Sequence, residues 1–126
     1  MRFVETDYSN KKEILKFIDH YVAIGVMVDD TDITADEDGK KIVAAGTIVG
    51  GASQSALANS TEPVAKKNTQ GTDATEAEGI LLEDVDVTYG NASGAMIIHG
   101  FIDVNKLPEA PAADAVTALR QITFIG

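Results

Sequence analysis

Apolar positions along this chain follow two different spacings. In "NKKEILKFIDHY", Ile14, Phe17, Ile18 and Tyr21 recur at intervals of three and four, which predicts a short helix with one apolar face. Asn10 followed by Glu13 fits a capping box at its start. A helix this short needs a surface to pack on. From Val22 the period changes to two. Val22, Ile24, Val26 and Val28 alternate with Ala23, Gly25, Met27 and Asp29, predicting a buried strand with a close backbone approach at Gly25.

Turn residues divide the chain beyond Asp29. Asp38-Gly39 is a hairpin signal, "KKIVAAG" reads as a strand, and Gly46 allows a turn before "TIVGG". Residues 52–78 are polar and poor in bulky side chains, predicting a long loop with one short strand at "PVAK". "GILLEDVDVT" and "AMIIHGFIDV" read as two antiparallel strands joined through "YGNASG", with Gly100 marking a bulge or tight packing. Pro111 suits the first turn of a helix over 112–120, and "QITFIG" supplies a last strand. The expected fold is mainly β: a small compact domain with one or two short helices. Residues 1–21 form an N-terminal arm or short helix, and residues 22–126 form the β-rich body.

Composition narrows the chemistry. The chain has 126 residues and 44% hydrophobic content, enough for one domain with a real core. It has no cysteine, so thiolate nucleophiles, disulfides and zinc-thiolate sites are excluded. Twenty acidic residues against ten basic ones give a formal charge of −10, which repels phosphate backbones. Lys11, Lys12, Lys66 and Lys67 are too few and too separated in sequence to form a basic patch. No stretch is apolar enough to span a membrane, and the N-terminus has no signal-peptide core. The expectation is therefore no direct nucleic-acid partner, no membrane and synthesis in a cytosol.

The acidic run "DDTDITADEDG" invites a calcium reading, but Thr34 occupies the third ligand position and the EF-hand glycine is missing after it. A solvated turn explains it better. Glu83, Asp84 and Asp86 crowd together, yet no nucleophile accompanies them at a recognisable spacing. The two histidines, His20 and His99, are far apart in sequence, and His99 lies inside "MIIHGFI", where packing is the expected role. No Walker, GxGxxG or GxSxG motif is present. No cofactor, metal site or catalytic residue is expected.

Three stretches carry a resemblance. "DEDGKKIVAAGTIVGG", "GILLEDVDVT" and "GAMIIHGFIDVNKL", in this order over residues 36–107, resemble the phage head decoration protein family typified by the lambda capsid-stabilising protein. The resemblance implies a compact, β-tulip-like domain that is not an enzyme. It implies a homotrimer on the outer surface of an expanded head, bound to the major capsid protein. It also implies an N-terminal arm that is flexible when free and ordered against the shell. Two features depart from that family: the apolar, helix-like N-terminal segment, and the loosely matching "PAADAVTALRQITFIG".

Under this expectation the capsid-docking residues are Phe3, Val4, Tyr8, Ile14, Phe17 and Ile18. The trimer-contact candidates are Gly46, Ile80, Leu82, His99 and Gly100. Two alternatives compete. One is a receptor- or carbohydrate-binding head surface module using loop 52–78, although a chain with three tyrosines and no tryptophan is poorly equipped for sugar stacking. The other is a small metal-dependent enzyme using Asp84, Asp86 and His99.

Overall fold

A computed structural model describes residues 14–30, 33–67 and 76–126. The fold is mainly β, with eight strands and one short α-helix among these residues. The strands are β1 (Tyr21–Val28), β2 (Ile42–Val43), β3 (Ile48–Gly51), β4 (Val64–Lys66), β5 (Gly79–Leu81), β6 (Val85–Asp86), β7 (Ala92–Asp103) and β8 (Ile122–Ile125). A 3-10 turn, Val104–Lys106, and helix α1, Ala113–Ala118, lie between β7 and β8.

The larger sheet runs β1-β4-β3-β5-β7-β8, and β1 also pairs with β7. That extra pairing closes β1, β4, β3, β5 and β7 into a ring, with β8 added in parallel along β7. A ring has no free edge where its strands meet, which removes a template for aggregation. β2 and β6 form a separate antiparallel ribbon.

Adjacent residues on these strands face two different cores, as the period of two requires. One core takes a side chain from every ring strand: Val28, Val64, Val49, Leu81 and Met96. Val43 and Val85 of the ribbon complete it, with Val87. The other holds Ile48, Ile80, Ile97, Ile102 and Ile122, covered by Ile14, Leu15 and, from the α1 region, Ala115 and Leu119.

A bulge makes this second core possible. Tyr21 and Val22 pair with Gly100 and His99, but Ala23 pairs with Ile97, so Ile98 has no opposite residue. One extra residue reverses the facing of everything beyond it. Ile97 and Ile102, an odd number of positions apart, therefore reach the same core. The bulge lies two residues before Gly100, which itself pairs with Tyr21 and packs tightly against it.

Several sequence expectations need correction. The described part of the predicted N-terminal helix is not helical: Leu15 bridges to Ile102, Lys16 N–H donates to the Phe101 carbonyl at 2.8 Å, and β1 begins at Tyr21. Pairing with β7 uses the segment better than a short isolated helix does. The capping pair Asn10 and Glu13 lies outside the described residues. Asp38-Gly39 does turn the chain, with Gly39 at φ +76°, but β2 pairs with β6 rather than with the preceding segment. Gly25 marks no close approach, since a Cβ there would meet nothing within 4 Å. Val22 is 49% exposed although Val28 of the same alternation is buried.

One glycine with a packing role is Gly79. A Cβ there would sit 2.4 Å from Met96 Cγ and 2.6 Å from the Ile97 carbonyl oxygen. Gly79→Ala is expected to destabilise the fold by about 1–3 kcal/mol through overpacking, whereas Gly25→Ala is expected to change stability by less than about 0.5 kcal/mol. Urea unfolding midpoints of the two variants check this contrast.

Candidate functional site

The polar loop after β3 is ordered by two carboxylates. Glu78 accepts from Gly51 N–H at 2.7 Å, Ala56 N–H at 2.9 Å, Leu57 N–H at 3.3 Å and the Ser55 hydroxyl. Glu62 accepts from Ser53 N–H and its hydroxyl, both at 2.8 Å, and from Gln54 Nε2 at 3.1 Å. Residues 52–62 are therefore tied down, and "PVAK" forms β4 as expected. Residues 68–75 of the anticipated loop lie outside the described residues.

Burial works against a charge on Glu78, but the Ser55 hydroxyl and the N–H groups of Ala56, Gly51 and Leu57 outweigh it and hold the carboxyl below its ordinary value. A carboxylate with weakened proton affinity is a poor base for the serine alcohol beside it. The Ser55–Glu78 pair lines a pocket of about 320 Å³ with Leu57, Glu76, Ile98 and Arg120. Its chemistry is that of a loop clamp.

The other acidic candidates serve the backbone as well. Asp36 Oδ1 accepts from Asp38 N–H at 2.9 Å and Lys40 N–H at 3.0 Å, closing the turn that the calcium pattern had suggested as a site. Asp32 lies outside the described residues. Asp84 accepts from Ala45 N–H at 2.8 Å. Asp86 accepts from Thr88 N–H at 2.9 Å and from the Thr88 hydroxyl. With Lys40 nearby, these bonds lower its pKa. His99 makes its ring contacts with His20, so Asp84, Asp86 and His99 do not assemble the centre that the enzyme alternative required. Among the described residues no group of three or more His, Asp or Glu is placed to hold a metal ion.

The trimer-contact candidates are largely enclosed within one chain. Ile80 is fully buried, and Leu82 packs partly buried on the same core. Gly46 is buried at φ +88°, where a Cβ would meet Pro108, Leu107 and Ile14. Gly100 is buried against Tyr21, and His99 is half-buried.

The docking candidates divide. Phe3, Val4 and Tyr8 lie outside the described residues. Ile14 is fully buried in the second core. Phe17 and Ile18 are open, at 48% and 68% exposure. Phe17 meets Phe101 edge-on with ring centres 5.3 Å apart. His20 lies 5.5 Å from Phe101 and 5.3 Å from His99, centre to centre. Val22 pairs directly with His99 across the strands. Phe17, His20, Val22, His99 and Phe101 thus lie together at the end of β7 beyond the bulge, with Ile18 exposed next to Phe17 in the chain. Sequence reasoning found Phe17 and Ile18 but missed Val22, which it read as buried, and Phe101, whose facing depends on the bulge.

No family model, curated protein or solved structure matches the chain.

Glu78 supplies a pH test. Its pKa is depressed on folding, so its contribution to stability is full above the ordinary carboxylate value of 4.5 and is lost as pH falls through the lower folded value. Glu78→Gln is expected to unfold more easily at neutral pH and to lose part of the acid dependence seen in the parent. Thermal melts between about pH 3 and pH 7 check this.

Proposed function

We propose that the protein is a structural, non-enzymatic decoration protein that binds the outer surface of an expanded phage head as a homotrimer, with the major capsid protein as its partner. The observation that carries this reading is the exposed patch built on Phe17 and Ile18. These two residues were docking candidates on sequence grounds, both are exposed, and Phe17 meets Phe101, which lies beside His20. Aromatic and aliphatic anchors of this kind carry most of the energy of protein interfaces.

Two further features support the reading. The stretches that resemble decoration proteins supply β3, β5 and β7, which are neighbours in one sheet. The formal charge of −10 disfavours non-specific association with nucleic acid during assembly. Mechanically, a trimer holds three copies of a modest contact in place together, so that each raises the effective concentration of the next. Placed across the joints between capsid subunits, such a clamp resists the outward pressure of packaged DNA. Because Gly46, Ile80 and Gly100 are used inside the monomer, the contacts between copies fall to surface residues.

Deleting residues 1–20 is a poor test, since it removes Ile14 and Leu15 from the core. Ile18→Asp is cleaner. It is expected to weaken co-sedimentation with expanded shells by about tenfold or more, consistent with loss of an interface anchor, while leaving the unfolding midpoint unchanged. A parent chain that is monomeric and ignores shells, or an Ile18→Asp variant that binds as the parent does, contradicts the proposal.

A further inference from the structure

His20 and His99 stand 79 positions apart in sequence, yet their Nε2 atoms are 3.3 Å apart. We propose that this pair is a two-histidine site for a divalent transition-metal ion of the zinc class, with both Nε2 atoms as ligands. The inference does not depend on the docking role of the surrounding patch.

Geometry is the first support. The two Nε2 atoms, 3.3 Å apart, are within hydrogen-bonding distance of each other and also at the separation that a shared ion would set. An ion about 2.05 Å from each nitrogen at the tetrahedral angle sets the nitrogens about 3.4 Å apart and the ring centres about 5.2 Å apart. The observed ring centres are 5.3 Å apart. The two rings are inclined at 62°, so they do not stack face to face.

Chemistry is the second. Imidazole nitrogen is a preferred donor for zinc, copper and nickel and a poor one for calcium or magnesium. The pair lies on an exposed part of the surface, so an ion can reach it. With two protein ligands, water fills the remaining positions. His99 Nδ1 is buried and has no hydrogen-bond partner, so the ring lacks the carbonyl or carboxylate that strengthens tight zinc sites. The site is therefore an exchangeable one, at which a donor from another protein can replace water.

The chain has only two histidines and no cysteine, so no other imidazole or thiolate competes for the ion. The test is calorimetric titration of the full chain with zinc chloride near neutral pH, with the imidazole nitrogen resonances followed in parallel by NMR. One ion per chain is expected, with both Nε2 resonances moving together and no such movement with calcium chloride. His20→Ala and His99→Ala are each expected to reduce affinity about tenfold or more. His20 is exposed, so its variant leaves the core intact. Absence of uptake, uptake that leaves the imidazole resonances unmoved, or undiminished affinity in folded His20→Ala overturns the proposal.

Discussion

The structure depends on β7 carrying one residue more than its partner requires. On one edge this strand pairs with β1 over nearly its whole length, which closes the ring. On the other it serves β5 near its middle and β8 at its end. Without the unmatched Ile98, Ile97 and Ile102 would face opposite ways, and the core beneath α1 would lose one of them. The same shift turns His99, and Phe101 two positions further along β7, onto the face of Val22, which pairs with His99. Packing and surface chemistry at this end of the molecule therefore have a single cause.

Acidic residues have a second structural role. Asp36 closes a turn, Asp84 holds the Ala45 N–H, and Glu62 and Glu78 fasten the segment between β3 and β4. Each carboxylate accepts from backbone donors that strands and helices do not satisfy. A small domain with short strands has many such donors, and leaving them unpaired is costly. Several of the acidic clusters that first invite catalytic or calcium readings thus serve to complete the backbone hydrogen bonding of the fold.

Much of the sheet was legible because alternation and turn glycines are local signals. The strands at Val22–Val28, "PVAK" and "AMIIHGFIDV", and the helix within residues 112–120, follow from neighbours only a few positions apart, whereas "GILLEDVDVT", read as one strand, divides into β5 and β6, the second pairing with β2. The failures share a reason. Ile14, Phe17, Ile18 and Tyr21 have helical spacing, but Ile14 is buried, Phe17 and Ile18 are exposed, and Tyr21 opens a strand; pairing with distant β7 decided between these fates. The β2–β6 ribbon, the Glu78 clamp and the His20–His99 pair each join segments tens of residues apart in sequence or nearly so. No spacing rule reaches that far. Among the site candidates, exposure upheld Phe17 and Ile18 as surface residues and placed Ile14 and Ile80 in the core.

A mainly β body with a rigid ring, a clamped polar loop and one open apolar patch suits a protein whose work is to hold on to another surface. Hydrogen–deuterium exchange of the protein, free and bound to expanded phage shells, tests that claim most directly. Strong protection on binding is expected across residues 16–22 and 98–102, with little change in residues 52–62. Protection confined to the 52–62 loop, or no protection anywhere in the presence of shells, would contradict it.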